Sequence, residues 1–446
     1  MAKIIVSVDT SNVWHPNTQM SEWNNFPEIT NAKGVWLYEK SGNKMIDGVA
    51  SMWCNVWGHS KKELINSITS QAKKLQHTPM FNLTNKPVEK LAKKLVKLAP
   101  GMNHVFFSDD GSTAMEISIK IALQYWKNIG EENKNKIATL QNGYHGDTFG
   151  AMSVGYVPEF FSNFKSKLFT SIQFLVPNEY RKPKNQTFID NQNSCLEKIE
   201  KTLSNDNTIA AFLMESGAQM AGGVNIFPPN FQNRINKLCK KYNVLFVLDE
   251  IATGFGRLGS MIEYESQKCN PDIVSFGKML TGGYLTFAAT LTSKKIYNSF
   301  LGDYSSMKHL FHGHTFTGNP IAANLSLTNL QLYEKYNLIQ RIKKTSGIFQ
   351  KRHAEFYDNE LVGDVRTKGM VMGIELVQNR AKKTPLQLKK SINKIVFDIG
   401  RKNHIFFRTL GNIIMLVPPL VISEKELNFL IDGTLKTIKD ISKVVR

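Results

Sequence analysis

The chain has 446 residues, with 56 Lys and Arg against 37 Asp and Glu for a formal charge of +19, and 42% of its residues are hydrophobic. That length implies two or three domains and a large core, and no apolar run reaches the ~20 residues that a membrane-spanning helix needs. The lysines fall in scattered pairs such as Lys61-Lys62, Lys73-Lys74 and Lys93-Lys94, interleaved with apolar residues, so the charge reads as compositional bias and argues for no nucleic-acid groove.

At the amino terminus Lys3 is followed only by Ile4, Ile5 and Val6 before Ser7 and Asp9, too short for the apolar core of a signal peptide. Cys54, Cys195, Cys239 and Cys269 are scattered with no C-x-x-C pair. A cytoplasmic protein with reduced thiols, no disulfide framework and no zinc site is expected.

Residues 1–30 show no clear period, and Trp14-His15-Pro16 reads as extended chain before a proline. Gly34 to Gly48 reads as a β-hairpin, followed by Trp53, Cys54 and Trp57, which serve equally well as core or cavity wall. Apolar spacing predicts helices over 60–76 and 86–98.

Val105-Phe106-Phe107 reads as a strand, Ser108-Asp109-Asp110-Gly111-Ser112 as a turn, and Thr113-Ala114-Met115-Glu116 opens a helix with capping-box spacing. A Gly-Ser turn into a helix is a ready anion site, because free N–H groups and the helix dipole converge there. Another strand, Ile137 to Leu140, leads to Tyr144, a flat face for stacking, and His145, an adjacent donor. Residues 160–207 are rich in Asn and Lys and yield only a helix near 193–203. Ile209 to Met214 then forms a buried strand ending in Glu215.

The apolar run Val244 to Leu248 ends in Asp249-Glu250, and Ile273 to Phe276 ends in Gly277-Lys278. Short all-apolar runs suit strands covered on both faces, and ligands in open α/β sheets bind at the strands' carboxyl ends. Glycines and apolar segments around Lys278 would desolvate its ammonium, which lowers a lysine's pKa toward that of a nucleophile. Between them Gly254-Phe255-Gly256-Arg257-Leu258-Gly259 spells a dinucleotide fingerprint, with Asp272 at the distance of a ribose-binding acid. Pro271 leaves room for only a short helix after it, which weakens that reading.

Tyr284 to Leu291 is strand-like. His312 and His314 have no third ligand at a recognisable spacing, so no metal is expected there. From about residue 335 a second α+β unit follows, with strands near 370–377, 405–408 and 413–417 and Arg408 after an apolar run. Strands near 105, 138, 212, 246 and 274, each ending in polar residues, predict a mostly parallel sheet with a site along one edge.

These segments resemble the class III aminotransferases, pyridoxal 5'-phosphate enzymes of fold type I, over nearly the whole chain. The likeness is carried by Trp14-His15-Pro16 with Gln19-Met20, Ser108 to Ser112, Gln124-Tyr125-Trp126, Asn142 to Thr148, Asp249 to Arg257, Gly277-Lys278 with Leu280 to Gly283, and Thr315 with Gly318-Asn319-Pro320. The Tyr-Trp helix, the Tyr-His-Gly-Asp-Thr segment and Thr-Gly-Gly are most similar to the branch that converts 8-amino-7-oxononanoate to 7,8-diaminononanoate in biotin biosynthesis. Other ω-aminotransferases of the class, acting on ornithine, 4-aminobutyrate or a diamine, are the alternative.

The resemblance implies an α/β large domain with a mostly parallel sheet over 61–334 and a smaller α+β domain over 335–446. The segment 1–60 would contribute to the small domain and the active site. Lys278 would carry the cofactor and shuttle the proton, Asp249 would hold the pyridine nitrogen protonated, and Tyr144 and Ile251 would cover the ring's two faces. Gly111, Ser112 and Thr315 from the second subunit of a homodimer would bind phosphate, with His145 and Glu215 also beside the cofactor. Trp53, Arg257, Gly313 and Arg408 would line the substrate side, Arg408 as carboxylate clamp. Asn17 and Cys54 stand where the best-matching enzymes carry aromatics, which keeps both S-adenosylmethionine and lysine open as amino donor.

Overall fold

The computed structural model describes residues 12–23, 26–388 and 391–445; Lys3 and the apolar run Ile4 to Val6 lie outside them. Seven strands build the large sheet: β1 (His104–Ser108), β2 (Lys136–Leu140), β3 (Ile172–Phe174), β4 (Ile209–Glu215), β5 (Leu245–Asp249), β6 (Ile273–Phe276) and β7 (Ala288–Thr292). Their order across the sheet is β1-β7-β6-β5-β4-β2-β3. Neighbours from β6 to β3 run parallel, and only β7 runs against both of its neighbours.

The all-apolar runs fold this way because both sheet faces are covered. Every residue of β4 and β5 is buried. Along β5 the side chains alternate, Leu245 and Val247 joining the cluster of Ile117 and Ile121, Phe246 and Leu248 joining that of Leu196 and Ile235. Ile117 and Ile121 belong to helix α1 (Gly111–Asn128), and Ile235 to a helix spanning Phe231–Lys241.

Two smaller sheets follow. Ile29–Lys33, Trp36–Glu39 and Lys44–Asp47 form a meander, and Ile405–Phe406 joins it parallel to Lys44–Asp47. The expected hairpin is therefore present, with its outer partner supplied from far along the chain. Val362–Lys368, Val371–Asn379, Ile413–Leu416 and Arg408–Leu410 form the other sheet, all antiparallel. The meander is tied to the helix Ile392–Lys402 at Glu39, whose carboxylate accepts from Arg401 Nε at 2.7 Å and is held down at about 2 by that guanidinium.

Several expectations change. The helix expected from 193 begins at Phe188, because Thr187 and Asp190 form a capping box at its start. The box on α1 sits three residues earlier than the spacing suggested: Asp110 accepts from Thr113 N at 2.9 Å, and Glu116 accepts instead from Gly150 N at 2.8 Å. Tyr284 to Phe287 is not strand; β7 starts at Ala288. The expected strand over 405–408 is split, its first half pairing with Asp47 and its second with Met415.

Candidate active site

The carboxyl ends of the strands open onto a cavity of about 510 Å³. Gly111 and Ser112 reach it from the turn after β1, Tyr144 and His145 from the loop after β2, Glu215 from β4, Asp249 from β5 and Lys278 from the turn after β6. Trp53 and Cys54 close it from the turn after the strand Lys44–Asp47, and Arg408 from the strand Arg408–Leu410. The sheet edge expected from the sequence thus collects these side chains in one place.

Lys278 sits at φ 43°, in the left-handed region, directly after an extended Gly277. Such a conformation costs a non-glycine residue about 1–3 kcal/mol and persists only where its surroundings hold it. Burial pushes its amine below the ordinary value, and the carboxylates of Asp249 and Glu215 draw it partly back. Its Nζ lies 4.9 Å from the centre of the Trp53 ring.

Asp249 and Glu215 end adjacent parallel strands and stand directly opposite in register. Asp249 Oδ1 accepts from Ile251 N at 2.9 Å, and Oδ2 faces His145 Nδ1 at 2.8 Å. Glu215 accepts from Met220 N at 2.8 Å and Tyr144 N at 3.3 Å, yet burial still raises it to about 7. The division of labour follows: Asp249 has a basic partner, and Glu215 keeps its proton near neutrality.

On one side of the cavity Ile251 packs so tightly that a Cβ on Gly111 would lie 2.9 Å from its Cγ2, and one on Gly277 3.2 Å. Glycine at those two positions lets the α1 amino terminus and the Lys278 turn close around one flat apolar wall. Tyr144 also lines the cavity; its hydroxyl donates to Asp147 Oδ1 at 3.0 Å and its ring stacks on Phe161 at 6.1 Å. Ser112 Oγ accepts from Asp147 N at 3.3 Å. A partly buried Arg408 completes the far end; its hydrogen bond is to Met52 Sδ at 3.1 Å, and it makes no ion pair among the described residues.

Two residues expected on the substrate side, Arg257 and Gly313, lie elsewhere, as does Thr315, which is expected to serve the other subunit. Arg257 does not line the cavity: it is fully buried and donates to the carbonyls of Pro418 at 2.7 Å and Met370 at 3.3 Å. Burial lowers its guanidinium to about 10. Gly313 and Thr315 are exposed and outside the cavity. The Gly254 to Gly259 fingerprint opens no dinucleotide helix, since only Glu263–Ser266 is helical after it, and Asp272 is occupied in accepting from Phe246 N at 2.9 Å.

Other lining residues escaped the sequence reading. Asp147 was within the quoted motif, three residues beyond Tyr144, and its role appears only through its contacts with Tyr144 and Ser112. Phe160 comes from the polar stretch 160–207, and Tyr284 to Phe287 line the wall as loop.

An apolar wall, a tyrosine ring, an amine, a carboxylate at the strand end and a helix amino terminus with a serine, all around one cavity, fit a phosphorylated planar aldehyde. The unpartnered, buried His145 Nε2 and the tight Ile251 plate are the local marks of that fit. Fold and site together define a pyridoxal-phosphate-dependent enzyme of fold type I. The chain belongs to the class-III aminotransferases, whose family model matches residues 19–438. It is 40% identical to an adenosylmethionine-8-amino-7-oxononanoate aminotransferase of Aquifex aeolicus, over 99% of both chains. The solved structure of the enzyme so named from Methanocaldococcus jannaschii superposes with a TM-score of 0.88 at 39% identity, covering 96% of this chain and 97% of that one. An omega transaminase from Pseudomonas jessenii, solved in complex with PMP, gives a TM-score of 0.92 at 27% identity, covering 97% of each.

Proposed function

We propose that the enzyme aminates 8-amino-7-oxononanoate to 7,8-diaminononanoate, a step of biotin biosynthesis, with S-adenosylmethionine or lysine as donor. Arg408 is the observation that carries this reading: a guanidinium in the cavity wall without a carboxylate partner suits a substrate whose carboxylate lies away from its reacting carbon. The similarity to relatives bearing that name supports the same substrate.

Pyridoxal phosphate, when bound, supplies an aldehyde that condenses with amines and a ring that withdraws electrons from the adjacent carbon. The chain's own groups do the rest. Lys278, its amine lowered by burial, would hold the group through its aldehyde and would serve as the base that carries the proton moved at the reacting carbon. Asp249, oriented by Ile251 N and His145, would hold a proton on the ring nitrogen. Tyr144 and Ile251 would fix the plane, and the α1 amino terminus with Ser112 would bind the phosphate.

The same reading makes the protein a homodimer in which Thr315 completes the partner's phosphate site, with Gly313 on the substrate side. Exposed apolar side chains in the Thr315 segment and the loop before it support this, among them Leu301, Tyr304, Met307, Phe311 and Phe316, with Phe81 and Leu83. The cytoplasm is the location where these donors are met, and no nucleic acid or membrane takes part.

The similarity to an omega transaminase, at a TM-score of 0.92 and 27% identity, supports a second reading, an ω-aminotransferase with a simple amine or aldehyde as substrate. The two part in a single-turnover experiment. Enzyme converted to its aminated form by S-adenosylmethionine or lysine should regain its original absorbance when 8-amino-7-oxononanoate is added. If it ignores that keto acid and responds to a simple ω-aldehyde, the biotin reading falls and the second stands.

A further inference from the structure

We propose that Asp47, backed by His59, is a positioning residue that sets donor specificity by locking the turn over residues 49–54. This rests on the reading of the cavity as the aminotransferase site. Asp47 lines no part of that cavity, yet it is fully buried at the end of the strand Lys44–Asp47. Its carboxylate accepts from Ser51 N at 2.8 and 2.7 Å through its two oxygens, and from Ser51 Oγ at 3.1 Å. His59 Nε2 faces its Oδ2 at 3.0 Å.

What Asp47 holds is a backbone that would not otherwise stay. Ala50, Ser51 and Trp53 lie at φ 48°, 59° and 63°, three left-handed L-residues within four positions. A strained segment of this kind persists only when neighbouring groups over-determine it, and it marks sites where the strain serves a purpose. Here the purpose is legible in what the turn carries. Met52 meets Arg408, Trp53 lies beneath the Lys278 amine, and Cys54 lines the cavity. The backbone of Cys54 presses so closely on the Lys278 loop that a Cβ on Gly283 would sit 2.8 Å from its carbonyl oxygen.

The turn is also a partition. Beside it lies a second cavity of about 1060 Å³, lined by Ser51 and sharing Asn17, Met52, Phe160 and Arg408 with the first. A shift of the turn changes the opening between the two at Arg408, where the non-reacting end of an amine donor must lie. One carboxylate away from the chemistry therefore shapes the space that tells donors apart.

The test is steady-state kinetics of the holoenzyme with Asp47→Asn, varying the donor. An amide cannot accept from Ser51 and His59 at once through both of its polar atoms, so the turn relaxes; KM for the preferred donor should rise about tenfold and for a poorer donor less than about threefold, with kcat held within about threefold. A merely structural role would lower kcat through lost active enzyme at unchanged KM. Adding Ser51→Gly, which makes the left-handed position permissible without its anchor, should return KM to within about threefold of wild type. Should Asp47→Asn fail to fold, His59→Ala replaces it, with an expected rise in donor KM of about threefold. Unchanged donor KM in the variant that folds, or a raised KM that glycine does not restore, overturns the proposal. The same measurement runs with any amine that wild type accepts, so a wrong donor assignment defeats the function reading alone.

Discussion

Replacing Arg408 with alanine tests the substrate reading most directly. The guanidinium offers five N–H donors and spends one on Met52 Sδ, which leaves a fork free for a carboxylate. Two parallel charge-assisted bonds at about 1.5–3 kcal/mol each, less the cost of desolvating a partly buried pair, make about 3–4 kcal/mol. At about 1.4 kcal/mol per tenfold, Arg408→Ala should lower kcat/KM for 8-amino-7-oxononanoate by about 10²–10³. Arg408→Lys keeps the charge and loses the fork, so it should fall between, near tenfold. The assay is single-turnover absorbance with the keto acid beside an ω-aldehyde lacking a carboxylate. Equal losses for both substrates, or a loss under about threefold for the keto acid, would refute the clamp.

Three further outcomes are expected. Lys278→Ala should retain no cofactor after borohydride reduction, whereas wild type should carry the label on the peptide containing Lys278. Thr315→Ala should weaken cofactor affinity about tenfold, the equivalent of one lost phosphate hydrogen bond, while the molecule stays dimeric in sedimentation; a monomer that binds cofactor tightly would contradict the shared site. Glu215, raised from 4.5 to about 7 by burial, holds its proton more tightly when folded, so it does not weaken the fold below pH 4.5. Its ionisation costs about 3 kcal/mol, developed as pH rises from 4.5 to about 7. Cofactor-free wild type should therefore lose more thermal stability between pH 5 and 8 than Glu215→Gln, and parallel curves would count against the shift.

The large sheet was readable because its strands are covered on both faces, so β2, β4, β5 and β6 appear as apolar runs cut off by polar residues. The site followed, since Asp249 and Lys278 stand at those cuts. Where burial involves charge, the pattern fails. The strand Val362–Lys368 is not among those expected, because it carries Asp364 and Arg366; Arg366 pairs with Asp364 of its own strand at 2.7 Å and with Glu375 of the neighbouring strand at 2.8 Å. Arg257 looked like a site residue by its motif and is drawn instead to the carbonyls of Pro418 and Met370. Nothing in one dimension distinguishes an arginine that faces solvent in a cleft from one that bonds backbone. Asp47 was equally silent, for its meaning lies in the φ angles of the three residues it restrains.

The parallel pairing of Ile405–Phe406 with Lys44–Asp47 has a consequence for how the chain is made. Arg401 and Glu39, the ion pair at the same seam, are 362 residues apart. A ribosome adding ~5–20 residues per second needs roughly 20–70 s to deliver the second after the first. Through that interval the large sheet can assemble from contiguous strands, while the meander at the amino terminus has an open edge where Ile405–Phe406 belongs. Unpaired strand edges invite pairing with other chains, so nascent protein is exposed to aggregation until its last fifty residues emerge. Destabilising substitutions at that seam should therefore reduce the yield of folded enzyme during synthesis more than they reduce the stability of enzyme already made.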